Sequence, residues 1–136
     1  MKQSTGHTAL SQIIKNMEPI LHEGAYVFVS VADIESIPRS VTICEMKEKE
    51  GVTVIISKEE AEKRGLPFTY VASWITLNIH SSLEAVGLTA AFSTALAKQG
   101  ISCNVVAGYY HDHIFVAKKE ELLAMEVLKG MTKEHP

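Results

Sequence analysis

Between residues 8 and 21 the segment TALSQIIKNMEPIL repeats its apolar positions every three or four residues. Leu10, Ile13, Ile14, Met17 and Leu21 share one face. The spacing predicts an amphipathic helix with Thr8 as its N-cap, ended or bent by Pro19. After Gly24 the pattern changes to AYVFVSV, a nearly unbroken run of β-formers, which predicts a strand buried on both sides. Residues 32–40, interrupted by Pro38, read as a loop. VTICEM and VTVIIS flank KEKEG, and a glycine between two such runs predicts a hairpin. Ser57 stands ahead of KEEAEKR, with acids leading and Lys63-Arg64 trailing. That order suits a capped helix and its dipole, and Gly65 and Pro67 stop it. FTYVASWITLNI, residues 68–79, is long and β-rich, either one bent strand or two in succession.

The chain then repeats this grammar. SSLEAVG reads as a loop, and LTAAFSTALAKQ puts Leu88, Ala91, Phe92, Ala95 and Leu96 on one helical face before Gly100. ISCNVVA is a strand, YYHDH a tight connection and IFVA a strand. KKEELLAMEVLKG is an amphipathic helix carrying Leu122, Met125 and Leu128, and MTKEHP is expected to fray. Helix, glycine, strand, further strand and Lys-Glu-Glu helix thus occur twice, which suggests duplication. Each copy is a β-α-β-β-α-β unit lacking a terminal strand. Residues 68–79 are placed to close the first copy and open the second. The expected architecture is α+β: two fused ferredoxin-like halves, 1–72 and 73–136, with antiparallel sheets and helices on one face.

Composition narrows the function classes. The 136 residues are 46% hydrophobic and 21% charged, with a formal net charge of −3. There is no basic excess to neutralise phosphates, so nucleic acid is not an expected partner. No apolar run approaches a bilayer span and no leader-like apolar segment opens the chain, so neither membrane nor export is expected. Cys44 and Cys103 lie in apolar stretches and read as free thiols in a reducing, cytoplasmic setting.

Several residues carry chemistry. His111-Asp112-His113 places two imidazoles two residues apart, on one face if the segment is a strand. A zinc site needs further ligands. His80 is the nearest candidate, and no Cys-x-x-Cys supports it. FSTAL lacks the flanking glycines of a nucleophile elbow, and EAVGLTAAF has one glycine, too few for a phosphate loop. No catalytic residue, metal or cofactor is therefore expected. The start of the helix at Leu88 and Thr89 offers unpaired N–H groups suited to a carboxylate, and Gly87 permits close approach. Asp112 offers a charge-assisted acceptor for an α-ammonium or for a basic side chain. His111, Asn78 and Asn104 are further polar candidates for the same pocket, Asn104 because it interrupts an apolar strand.

Residues 74–120, WITLNIHSSLEAVGLTAAFSTALAKQGISCNVVAGYYHDHIFVAKKE, resemble an ACT domain. The matching features are the strand, the loop with Gly87, LAKQGIS feeding a strand, and a polar hairpin ending in DHIFV. Tyr109-Tyr110-His111-Asp112 is similar to the hairpin of ACT modules in aspartate kinases and cytosolic arginine sensors. The whole chain resembles bacterial stand-alone proteins of two fused ACT-like halves. The resemblance implies a regulatory sensor of a free amino acid or similar small zwitterion, assembled as a homodimer or higher homo-oligomer, with no catalysis of its own. It also implies that the Gly87 loop and the Asp112 hairpin meet, within a chain or across a dimer contact. Two alternatives remain: a small enzyme using His111, Asp112 or His113, and a structural interaction domain without ligand.

Overall fold

The structure is a computed structural model that describes residues 6–79 and 86–133, with side chains in the first helix from Leu10 onward. Helix α1 (Gly6–Lys15) begins ahead of Thr8 and ends well before Leu21. The periodicity was read correctly only as far as Met17. Beyond it Pro19 has no N–H for a helical bond, and residues 18–21 instead form strand β1 (Glu18–Leu21). β1 pairs antiparallel with β5 (Val71–Asn78), matching Glu18 to Asn78 and Leu21 to Ile75. A proline is tolerated in a strand that has one partner. Residues 71–78 form one strand, resolving the alternative that the sequence left open.

The chain packs as two compact units, Met1–His22 with Trp74–Pro136, and Glu23–Ser73. The first unit contains β1, β5, β6 (Asn104–Ala107) and β7 (Asp112–Ala117), in the order β1-β5-β7-β6. α3 (Leu88–Lys98) and α4 (Glu121–Lys133) join α1 against this sheet. Their shared core comprises Ile14 and Met17 of α1, Ile75 and Leu77 of β5, Phe92 and Leu96 of α3, Ile114 and Val116 of β7, and Leu128 of α4. Each large apolar side chain buried there contributes about 1.5–3 kcal/mol. The strand missing from the C-terminal copy is thus the chain's own residues 18–21. α3 ends in a Schellman motif: Gly100 N–H bonds Ala97 O and Ile101 N–H bonds Leu96 O, at 2.9 and 3.0 Å. β7 starts inside the stretch expected to be connection. α4 continues through Met131, which is buried, so residues 131–133 do not fray.

The second unit has β2 (Tyr26–Val31) between β4 (Val52–Ser57) and the first residues of β5, with β3 (Cys44–Lys47) outside β4. α2 (Lys58–Lys63) follows β4, capped by Ser57, whose Oγ accepts from Glu60 N–H at 3.1 Å. Its core is Val27, Val29, Val54, Ile56 and Ala61. Between β2 and β3 lie two short 3-10 turns, Ile34–Ser36 and Arg39–Val41. The strand order of each unit is that of a ferredoxin-like fold, and the architecture is mixed α and β with antiparallel pairing.

Candidate functional site

Strand β5 delivers its last residue, Asn78, to one end of the first unit's sheet. α3 starts after the intervening loop, with Gly87 at its N-cap. Gly87 adopts φ +93°, a conformation that side chains resist, and among the described residues no side chain caps the helix. The opening N–H groups of this 11-residue helix have no intrahelical partner. Leu88 is buried and anchors the turn, while Thr89 is exposed. A Cβ at Gly87 would lie 3.2 Å from Leu10 Cδ2, so α1 forms a wall beside the helix start. His80 lies outside the described residues.

β7 lies beside β5. Thr76 meets His113, and Trp74 meets Phe115. The numbering falls along one strand as it rises along the other, so the two run antiparallel. Two residues on from Thr76 is Asn78, and two back from His113 is His111. The start of β7 and the end of β5 are thus at the same end of the sheet. Asp112 is half-buried and pairs with Ala107. Burial pushes its carboxyl pKa up, and neighbouring His113 pulls part of the way back. His111 Nδ1 is shut away from solvent and has no hydrogen-bond partner among the described residues, a state that buried polar atoms rarely keep. Tyr109 and Tyr110 stack edge to face with centroids 4.9 Å apart and are exposed.

Asn104 is not part of this group. It pairs with Phe115, at the opposite end of β6 from the Ala107–Asp112 pair. Its Nδ2 is 3.4 Å from the Phe115 carbonyl oxygen, which accounts for a polar residue in that strand.

His113 is engaged by Trp74 and Thr76, and through Thr76 by His22, none of which the sequence singled out as a site residue. Trp74 Nε1–H donates to His113 Nδ1 at 3.1 Å, so that nitrogen carries the lone pair and the ring proton sits on Nε2. Thr76 Oγ1 is 3.0 Å from the same Nδ1 and 2.7 Å from His22 Nε2. The network is satisfied when His22 Nε2–H donates to Thr76 and the Thr76 hydroxyl shares His113 Nδ1 with the indole. His22 also stacks on Trp74, centroids 3.7 Å apart. Burial lowers the basicity of His22. It does the same to His113, helped by His111 and His22 and opposed by Asp112. Among the described residues no three His, Cys, Asp or Glu side chains are grouped to hold a metal. Cys103 is half-buried against the core, and burial raises its thiol pKa to about 11.

At the Asn78 end an open cleft of about 490 Å³ is lined by Gln12, Ile13, Asn16, Glu18, Asn78 and Ile79. Of these only Asn78 was singled out from the sequence. The others lack a local signal, because a 60-residue separation lies between Glu18 and its strand partner Asn78.

The fold and this polar sheet end define a ferredoxin-like module with room for a small ligand. Two models described as ACT domain match the chain, one over residues 5–73 and the other over 70–130. The chain belongs to the ACT-domain family, whose members are in general ligand-binding regulatory modules. A solved Vibrio cholerae protein of unknown function, described as a possible transport protein, is 44% identical. The match covers 94% of this chain and 99% of that one, with TM-score 0.84. An Agrobacterium tumefaciens protein is 14% identical over 85% of this chain and 89% of its own, TM-score 0.65. The aspartate kinase of Clostridium acetobutylicum is 10% identical over 85% of this chain and 34% of its own, TM-score 0.57. The last two share the fold. No curated protein sequence matches the chain. No helix among the described residues is long and apolar enough to cross a membrane.

Proposed function

We propose that this protein is a regulatory sensor that binds a free amino acid or a similar small zwitterion and carries out no chemistry of its own. The observation that carries the reading is the glycine-led start of α3, without a side-chain cap among the described residues, at the same sheet end as half-buried Asp112. The helix start takes the ligand's carboxylate through the N–H groups of Leu88 and Thr89, aided by the positive end of the dipole. Asp112 takes the ammonium, a charge-assisted hydrogen bond that offsets the cost of its burial. The unpaired Nδ1 of His111 gains a partner. Asn78 lines the approach. The halves 1–72 and 73–136 are the two units of duplication. The protein works as a homo-oligomer in the cytoplasm, and ligand shifts its assembly or that of a partner through unequal affinity for two states.

A thermal-shift screen of the proteinogenic amino acids tests this. A ligand at about 100 times its Kd adds about 2.7 kcal/mol, a shift of several degrees in Tm. Asp112→Asn should abolish the shift and leave the unliganded melt intact. A screen in which no amino acid moves Tm overturns the reading.

A further inference from the structure

We infer that His113 is a positioning residue of this ligand site: its neutral imidazole, seated over Gly108, holds the hairpin that aims Asp112, and a proton on the ring releases that hairpin, so ligand capture weakens in acid. The inference rests on the amino-acid reading above and deepens it by naming how the site is regulated. On β7, Asp112 and His113 point to opposite faces. Asp112 shares its face with Ile114 and Val116, which lie in the core. The imidazole is on the other face, so it acts on Asp112 through the backbone rather than by touching the ligand.

The path between them is short. Gly108 N–H donates to His111 O at 2.9 Å and closes the hairpin, and Ala107 pairs with Asp112. A Cβ on Gly108 would stand 2.9 Å from His111 O and 3.2 Å from His113 Nε2. Contacts that close leave no room for a side chain, so ring and hairpin are packed directly against each other. The other edge of the ring is fixed from β5. Trp74 Nε1–H donates to Nδ1 at 3.1 Å, Thr76 Oγ1 lies 3.0 Å from the same atom, and His22 Nε2 lies 2.7 Å from Thr76 Oγ1.

A proton on Nδ1 breaks this arrangement at one point. The Thr76 hydroxyl can turn to accept from it, but the indole has only a hydrogen to offer. The ring must turn away from Trp74, and its seat on Gly108 goes with it. His22 behaves differently, because its Nε2–H goes on donating to Thr76 when its other nitrogen is protonated. The titratable groups around His113 are His111 and Asp112 on its own segment, Tyr109 and Tyr110 at the hairpin tip, His22 just after β1 and Glu18 at its start; β5 and β6 contribute none. Burial opposes the charged ring most, His111 and His22 add to it, and Asp112 favours the charge. An ammonium held by Asp112 cancels that one favourable contact, so ligand and ring proton exclude each other. Capture is full above the pKa of the ring in the free protein and falls as pH drops through it, by up to about tenfold per pH unit.

Titration calorimetry of the full chain with each proteinogenic amino acid, at about pH 7.5 and about pH 5.5, tests this. The amino acid that binds at the higher pH should bind about threefold to tenfold more weakly at the lower one. In His113→Asn, which keeps an acceptor and cannot titrate, only the part of the fall that belongs to Asp112 should remain. Gly108→Ala should weaken binding already at the higher pH. The chain has one tryptophan, so its indole N–H gives a single cross-peak in a proton–nitrogen NMR spectrum. Without any amino acid present, that peak should move as the unaltered protein is acidified and stay in place in His113→Asn. Affinity that is flat between the two pH values, a fall just as large in His113→Asn, or an indole peak that ignores pH in the unaltered protein overturns this inference and leaves the sensor reading standing. If no amino acid binds at either pH, both readings fall together.

Discussion

Acid should loosen this protein through the hydrogen-bonded pair of histidines on its sheet. His113 Nδ1 accepts from the Trp74 indole, and Thr76 links it to His22. A proton on that Nδ1 would turn an acceptor into a donor facing the Trp74 indole N–H. Burial keeps both rings neutral more stubbornly in the fold than in the unfolded chain, helped at His113 by the neighbouring His111 and His22. The sign follows: below the unfolded pKa of about 6.5 the unfolded state binds more protons, so stability falls as pH falls until the depressed native values are reached. Between about pH 7.5 and about pH 5.5 one fully shielded histidine costs at most about 1.4 kcal/mol, and two cost about 2.8. Both rings keep solvent contact, so screening reduces the pair to roughly 1 kcal/mol. Urea melts at the two pH values read this as a midpoint change of about 0.5 M. His113→Asn keeps an acceptor near the Nδ1 position and cannot titrate, so it should halve the loss. Asp112 shifts in the other direction, because burial favours its protonated form. A His113→Asn protein as acid-sensitive as the parent would refute the reasoning.

Three further outcomes follow from packing, backbone and burial. Leu128 is fully buried between helices and sheet, so Leu128→Ala should cost about 2–5 kcal/mol in a denaturant melt; a loss under about 1 kcal/mol would mean that this core is not as described. Gly100→Ala and Gly130→Ala should act oppositely, although neither new Cβ meets an atom within 4 Å. Gly100 sits at φ +75° and should lose about 1–2 kcal/mol, whereas Gly130, inside α4, should gain about 0.5–1 kcal/mol. Cys103, with its pKa near 11, should alkylate about tenfold more slowly than an unfolded-chain thiol at about pH 8. Its thiolate fraction falls about two orders of magnitude, and its greater intrinsic nucleophilicity restores about one.

By itself the sequence determined most of what depends on neighbours a few residues apart. The stripe of Leu88, Phe92 and Leu96 made α3, with Gly100 as its stop. The Lys-Glu-Glu starts, the hairpin glycine and the doubled grammar pointed to two ferredoxin-like halves. The ACT resemblance picked out Gly87 and Asp112 as candidates. Only the tertiary structure decided matters that depend on long-range pairing. Residues 18–21 look helical because their apolar spacing continues that of α1, and they become a strand because β5 lacks a partner that Pro19 does not prevent them from being. Trp74 reads as a core aromatic in the chain, yet its indole hydrogen finds His113 across the sheet. Glu18, Gln12 and Asn16 are ordinary surface residues in sequence. They line a cleft because strand pairing returns the start of the chain to Asn78, and no local pattern records a contact whose partners are so far apart along the backbone.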